Sequence, residues 1–359
     1  MRYVMADNLT EGMILGKPFY GNLGQFMLRK HAVLTESLIK RIRYLGYSGL
    51  YITDDYSDGI EPNFVVSDEL KNSTAEAVRH FMSNIQSSPS SSSSSTLARN
   101  VDQILSLVKS LVNEIAASKN AVVNIIDLKS FDLYTYQHSV NVCVLAGVLG
   151  SALKMTKREL FDLATAAIFH DIGKLFVSKE VLDKQGPLSK EECETMKRHP
   201  ALGCEYIRDR FYFKPSIYVP VVQHHERHDG SGYPSGLAGD EISLSAKIVA
   251  MTDTYDAITS KRPYHEAIMP HEACEYIMGN AGRHFDPKAV GIFFRTVAPY
   301  PVGVSVQLSN GQEGIVFRNY DTFPMRPLIK LKPQPGLKAR FLDLCNDPSA
   351  LNVTISKLL

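Results

Sequence analysis

The sequence predicts a mainly α protein: a helical-bundle domain, preceded by a small α+β domain and followed by a small β-rich extension. Three patterns predict it. Apolar residues recur at helical spacing from Val101 to near Val297, a serine tract interrupts the chain just before them, and apolar–polar alternation around an Asn-Gly pair marks the C-terminal region. The corresponding division is 1–85 for an N-terminal regulatory domain, 86–98 for a linker, 99–297 for the helical domain and 298–359 for the extension.

Taken in order, the apolar runs Phe26-Met27-Leu28 and Leu50-Tyr51-Ile52 between Gly-rich turns predict strands, and Thr35 to Leu45 predicts a helix. Leu70, Ala77, Val78 and Phe81 suit a helix from Ser67 to about Ile85. Ser87 to Thr96 is serine broken only by Pro89, a composition with no apolar surface to bury and hence a flexible linker. Beyond it, Ile104, Leu105, Val108, Leu111, Val112 and Ile115 form one apolar helical face. Capping boxes at Thr156…Glu159 and Ser189…Glu192 mark later starts. The first opens a helix ending at His170-Asp171, with Gly173 relaxing the backbone beyond it; the second opens a segment reaching His199. A helix over Leu244 to Ile258 places Asp253 and Asp256 on one face. Val304, Val306 and Leu308 then alternate with polar residues, Asn310-Gly311 supplies a hairpin turn, and Gly314 to Phe317 forms the return strand. So short an extension is marginal alone and is expected to dock on the helical domain.

At 359 residues the chain suits two or three domains, and 44% hydrophobic with 21% charged residues is an ordinary globular composition. A net charge of +1 gives no general attraction for duplex nucleic acid or a membrane surface, so an anionic ligand must be held by local charges. Cys143, Cys193, Cys204, Cys274 and Cys345 are scattered and without CxxC spacing, which reads as reduced thiols. No secretory signal and no membrane span is apparent, so a cytoplasmic location is expected.

Chemistry-bearing residues concentrate in the helical part. His170-Asp171 and His224-His225 are doublets of the donors that divalent transition metals take from proteins, and such doublets are costly unless something binds them. His138, His199 and Asp253 extend the set to five histidines and two aspartates. With no Cys pair nearby, structural zinc is disfavoured; iron or manganese suits His and carboxylate donors better. Two adjacent cations can acidify a water and clamp both oxygens of an in-line phosphoryl displacement. A metal-dependent hydrolase is the resulting first reading. His31, His80 and His284 read as surface or core histidines, His228 as a loop residue lining a substrate groove, and Asp256 as a partner orienting a ligand.

The runs Phe169-His170-Asp171-Ile172-Gly173-Lys174, His224-His225-Glu226-Arg227-His228-Asp229-Gly230-Ser231-Gly232-Tyr233-Pro234 and Asp253 to Tyr264 stand in the order and spacing of one family. Over roughly residues 100 to 297 the chain resembles the HD-GYP family, a branch of the HD phosphohydrolases that cleaves the bacterial second messenger cyclic di-GMP. The resemblance implies an HD-type bundle in which His138, His170, Asp171, His199, His224, His225 and Asp253 hold two divalent ions, with Asp171 bridging. It implies that Lys174 meets a phosphate oxygen and helps protonate the leaving group. Arg262 would bind phosphate through its planar, always charged fork, and Gly232, Tyr233 and Pro234 would flank the metals and one guanine. A hydroxide bridging the ions would attack phosphorus in line, giving pGpG and, if that product rebinds, GMP. Beyond a cyclic dinucleotide substrate, the resemblance leaves open a second copy of the chain and a diguanylate cyclase or other signalling protein as partners.

Two positions depart from the family pattern. Tyr134 stands where many members carry an acidic residue that helps hold a third metal, so two ions are expected here. His265 stands where a Lys or Arg is common, which makes any phosphate contact there weaker or pH-dependent, an unperturbed His titrating near ~6.5. Three alternatives compete: hydrolysis of another cyclic dinucleotide such as cyclic GMP-AMP, an inactive sensor of dinucleotide or partner, and a triphosphohydrolase of the broader HD group. The complete ligand set argues against the sensor and the GYP loop against the triphosphohydrolase.

Overall fold

The computed structural model describes residues 1–21, 25–87, 94–118, 134–184, 186–260, 268–320, 322–333 and 339–359; Arg262 and His265 lie outside the described residues. The N-terminal part is a small sheet with a helix on it. Strands β1 (Arg2–Met5), β2 (Ile14–Leu15) and β5 (Gly49–Thr53) form an antiparallel sheet in the order β1-β5-β2, and β3 (Phe19–Tyr20) pairs with β4 (Phe26–Leu28). Helix α1 (Glu36–Tyr44) starts where the Thr35 hydroxyl accepts the Leu38 N–H, and it buries Ile39 and Ile42 against Leu15, Phe19, Leu50 and Ile52.

The bundle follows as α2 (Asp68–Ser87), α3 (Ser94–Ala117), α4 (Tyr134–Ala152), α5 (Lys157–Phe169), α6 (Lys179–Leu182), α7 (Lys190–Met196), α8 (His199–Phe211), α9 (Pro215–Gln223), α10 (Leu244–Thr259), α11 (Pro270–Gly279) and α12 (Pro287–Thr296). The serine tract does not separate two cores. Val66, Val78, Phe81 and Ile85 before it pack in one cluster with Ile104, Val108 and Leu111 after it and with Phe169 and Ile172 beside the His-Asp doublet. Phe81 and Phe169 meet edge to face at 5.7 Å. By packing, α2 therefore belongs with the bundle rather than with the sheet before it. The helices also extend further into the tract than a linker over 86–98 allows, because serine is tolerated in the first and last turns where backbone groups lack helical partners.

Helix α4 is buried on every side from Asn141 to Gly150, which makes it the centre of the bundle, with α5 and α10 packed on it. The segment from Ser189 does not run through to His199 as one helix. It breaks after Met196, and α8 restarts with His199 and Pro200 in its first turn, where the missing proline N–H has no partner to lose.

The C-terminal extension is a five-stranded antiparallel sheet of β6 (Ser305–Leu308), β7 (Glu313–Arg318), β8 (Leu328–Leu331), β9 (Phe341–Asp343) and β10 (Ile355–Leu358), in the order β10-β6-β7-β8-β9. Gly311, at φ +82°, makes the β6–β7 turn that the Asn-Gly pair predicts. It does touch the bundle, where Tyr300 stacks on His271 of α11 at 5.2 Å. It docks on the N-terminal sheet as well: Tyr3 N–H donates to Gly303 O at 2.8 Å and Lys330 Nζ to Asp58 O at 2.7 Å. Among the described residues no helix is long and apolar enough to cross a membrane.

Candidate metal centre

Four helix ends and one helix middle converge on the site. The capping box at Thr156 starts α5, with Glu159 N–H donating to Thr156 Oγ1 at 3.3 Å and Thr156 N–H to Glu159 Oε2 at 2.8 Å. Nearly all of α5 from Leu160 to Phe169 is buried, so its C-terminal end, carrying His170 and Asp171, is fixed in the core. His224 caps the end of α9, His199 is the first residue of α8, His138 lies in the first part of α4, and Asp253 lies on α10.

Asp171 sits between two groups of nitrogens. Its Oδ2 faces His170 Nε2 at 3.4 Å and His138 Nε2 at 3.8 Å, and Asp253 Oδ1 closes that side at 3.1 Å from His138 Nε2. Its Oδ1 faces His199 Nε2 at 3.3 Å and His224 Nε2 at 3.8 Å. His225 joins this second side: donor atoms of Asp171, His199, His224 and His225 all lie within 4.8 Å of one another, as do those of His138, His170 and Asp171. All seven residues expected from the sequence as ligands are thus brought together, and Asp171 is the one shared by both groups.

The imidazoles are oriented from behind. His170, His199 and His224 each donate Nδ1–H to the carbonyl three residues earlier, Ala167, Met196 and Val221, at 2.7 Å in every case. A carbonyl can only accept, so the proton is on Nδ1 and a neutral ring turns its Nε2 lone pair into the site. His138 Nδ1 bonds Asp256 Oδ2 at 2.7 Å, and Asn141 Nδ2 holds the other Asp256 oxygen at 3.0 Å. Asp256 accordingly takes the orienting role expected of it, while Asn141 was not legible as a participant.

Burial disfavours the charged form of Asp171, but Lys174 and the surrounding imidazoles outweigh it and hold the carboxyl well below the usual carboxylate range. Burial and the neighbouring imidazoles push His224 down, and burial pushes His225 down to about 4, so both rings are neutral donors at pH 7. Burial opposes protonation of His138, yet its hydrogen bonds to Asp253 and Asp256 raise it to about 9 in the metal-free chain. His170 Nε2 and Asp171 Oδ1 are buried without a hydrogen-bond partner. Unsatisfied acceptors buried on both sides of a carboxylate–imidazole cluster fit bound cations better than an empty polar core.

The loop after α9 covers one flank. Tyr233 stacks on His225 at 4.8 Å between ring centroids, and its N–H donates to His225 O at 3.1 Å. A Cβ on Gly232 would lie 2.4 Å from Arg227 N and 2.5 Å from Glu226 Cα, so the close backbone approach expected of that glycine is real. Pro234 follows Tyr233 in this loop. Lys174 pairs with Asp171 Oδ2 at 2.5 Å and is one-third exposed, its ammonium therefore at the site and open to solvent. His228 lies in this loop, its Nδ1 3.8 Å from Asp286 Oδ2 and its N–H donating to His284 O at 3.1 Å, which ties the loop to the start of α12.

Sequence reasoning quoted Glu226 only as part of the signature, yet its buried carboxylate is the loop's anchor, accepting Ser235 N–H at 2.7 Å and Leu237 N–H at 3.1 Å. Glu226→Ala is expected to leave both donors unpaired, to lower stability by roughly 1–3 kcal/mol and to expose residues 231–237 to proteolysis. Thermal unfolding with limited proteolysis checks this, and an unchanged melting temperature and cleavage pattern would count against the anchor.

A helical bundle whose helix ends gather histidines around a shared aspartate defines a protein of the HD class. Residues 102–289, more than half of the chain, match the HD domain family, and the chain belongs to it, within the HD-GYP branch. It is 38% identical over 225 residues to a cyclic di-GMP phosphodiesterase of Pseudomonas aeruginosa, covering 62% of this chain and 54% of that protein. It is 40% identical over 154 residues to a cyclic di-GMP phosphodiesterase response regulator of Xanthomonas campestris, covering 42% and 40%. It is also 36% identical over 164 residues to a 3'3'-cGAMP-specific phosphodiesterase of Vibrio cholerae, covering 46% and 35%. The chain thus spans about half the length, or less, of these curated relatives.

Proposed function

We propose that the chain is a metal-dependent phosphodiesterase that hydrolyses cyclic di-GMP to pGpG, and onward to GMP where the product rebinds. One observation carries the reading: the two oxygens of Asp171 face two separate sets of imidazole nitrogens, the arrangement needed for one carboxylate to serve two divalent ions. The donor set suits iron or manganese. Bound there, two such ions would supply an acidified water as nucleophile and Lewis-acid stabilisation of the phosphoryl oxygens.

The chain's own residues supply the rest. His138, His170 and Asp253 would hold one ion with Asp171, and His199, His224 and His225 the other. Lys174, already beside Asp171, is placed to balance charge that grows on the phosphate and to deliver a proton toward the leaving oxygen. Tyr233, stacked on His225, offers an aromatic face at the flank of the site, suited to a guanine base. Arg262 is assigned the phosphate clamp and His265 a weaker, pH-dependent contact beside it.

The resemblance to a cGAMP-specific phosphodiesterase makes cyclic GMP-AMP the competing substrate. The test is anaerobic purification with elemental analysis, followed by chromatography of an equimolar mixture of the two dinucleotides incubated with iron- or manganese-loaded protein. Two ions per chain and preferential conversion of cyclic di-GMP to pGpG are expected. Both dinucleotides recovered intact from fully loaded protein would sink the reading, and preferential loss of cyclic GMP-AMP would replace its substrate.

A further inference from the structure

We propose that Asp162, with Lys214 and Ser216, is a positioning brace that keeps the His224-His225 doublet level with the His170-Asp171 doublet; the inference rests on the two-ion reading above. Helices α5 and α9 pack side by side and meet at two levels. At one, the His170 and His224 rings lie 5.1 Å apart between centroids. At the other, Ser216 Oγ donates to Asp162 Oδ2 at 2.9 Å and Lys214 Nζ pairs with the same oxygen at 2.8 Å. Eight residues separate Asp162 from His170, and eight separate Ser216 from His224, a rise of about 12 Å along each helix. The two helices therefore run parallel and in step, and each ends in a ligand doublet.

Two observations indicate that this step is not set by apolar packing alone. Asp162 is 6% exposed on a helix whose other buried residues from Leu160 to Phe169 are apolar apart from Thr165. A carboxylate there is costly to desolvate unless paired, and its partners among the described residues are Ser216 in the first turn of α9 and Lys214, the residue that caps that helix. Helix α9 is also a poor judge of its own register. Pro220 lies inside it and has no N–H to give the Ser216 carbonyl, so the ladder of this nine-residue helix lacks a rung in its middle. The brace grips Lys214 and Ser216, on the N-terminal side of that missing rung, and places an anion at the positive end of the helix.

Loss of the brace lets α9 shift along α5 and carries His224 and His225 away from Asp171 Oδ1. His138, His170 and Asp253, held by α4, α5 and α10, stay around Oδ2. The effect is therefore asymmetric, which a general loss of stability is not.

The experiment titrates the metal-free full chain with Mn(II) and follows free ion by electron paramagnetic resonance. In Asp162→Ala the ion on the His138 side is expected to keep its affinity within about twofold, and the ion on the His199 side to weaken by about tenfold or more, the usual scale for residues that orient ligands from behind. Asp162→Asn, which still offers Ser216 an oxygen, should stay within about threefold of the unmodified chain at both sides. Equal weakening of both ions, or a lowered melting temperature with both affinities intact, overturns the brace. Should Asp162→Ala fail to fold, Lys214→Met and Ser216→Ala replace it, each with the same asymmetric loss expected. If the unmodified chain takes up fewer than two ions, the two-ion reading fails on its own account, and amide exchange of the metal-free chain decides the brace. Val221 to His225 should then exchange about tenfold faster in Asp162→Ala while Ala164 to Ile168 do not change; equal rates in the two proteins overturn it.

Discussion

Asp171→Ala is expected to remove metal from both sides of the site together and, with it, turnover. Each of the other six proposed ligands stands on one side of the cluster, whereas Asp171 presents Oδ2 to His138 and His170 and Oδ1 to His199 and His224. Alanine takes away both oxygens and, among the described residues, the one carboxylate grouped with His199, His224 and His225, leaving three imidazoles there without it to offset a divalent charge. Lewis-acid stabilisation of several kcal/mol is lost with the ions, so hydrolysis should fall by about 10³-fold or more. Asp171→Asn separates charge from geometry, since one neutral oxygen remains in place, and it is expected to retain metal on one side at most. Elemental analysis of the purified variants beside single-turnover rates checks the pair. An alanine variant with full metal content and undiminished hydrolysis would remove Asp171 from the bridging position and with it the mechanism.

How much of this was legible follows from where the information sits along the chain. The clustered histidines and aspartates were readable because they come in short contiguous signatures, and a doublet at the end of a helix needs no knowledge of tertiary structure to be noticed. Asp256 was readable for the same reason, three residues from Asp253 on one helix. Asp162, Asn141 and Glu226 act through partners 54, 115 and 9 or 11 residues away. Taken singly, an aspartate in an apolar helix or an asparagine beside valines carries no mark of its partner. The strand at Ile355–Leu358 shows the same limit: it pairs with β6 across the whole extension, and only the local hairpin between β6 and β7 was foreseen. The serine tract misled in the other direction. Its composition signals a break, but the helices on either side pack into one core, and composition says nothing about what two flanking apolar faces are buried against.

Gly173 is where the local reading and the structure differ most in consequence. Sequence logic gives it freedom of backbone angle, yet it is not among the glycines with positive φ. Space is what it supplies. A Cβ at Gly173 would stand 1.8 Å from His199 O and 2.7 Å from Gly203 N, both backbone atoms with no side-chain end to swing aside. The turn that follows Asp171 is therefore pressed directly onto the first turn of α8, and this contact sets the distance between Asp171 Oδ1 and His199 Nε2, 3.3 Å. In Gly173→Ala one of the two backbones must retreat by about 1 Å or more, at a cost of roughly 1–3 kcal/mol for overpacking. A misplacement of that size at a reacting centre is worth about 10²-fold in rate, so the variant should fold with a lowered melting temperature, bind the His199-side ion poorly and hydrolyse about a hundredfold more slowly. Gly203→Ala is the internal control. Its Cβ would meet Gly173 N at 3.0 Å and Ile172 Cγ2 at 3.2 Å, a tight fit that small shifts can absorb, and its losses should be clearly smaller. Equal behaviour of the two variants in metal titration and rate, or a Gly173→Ala protein indistinguishable from the unmodified chain, would show that the approach of the turn to α8 does not govern the site.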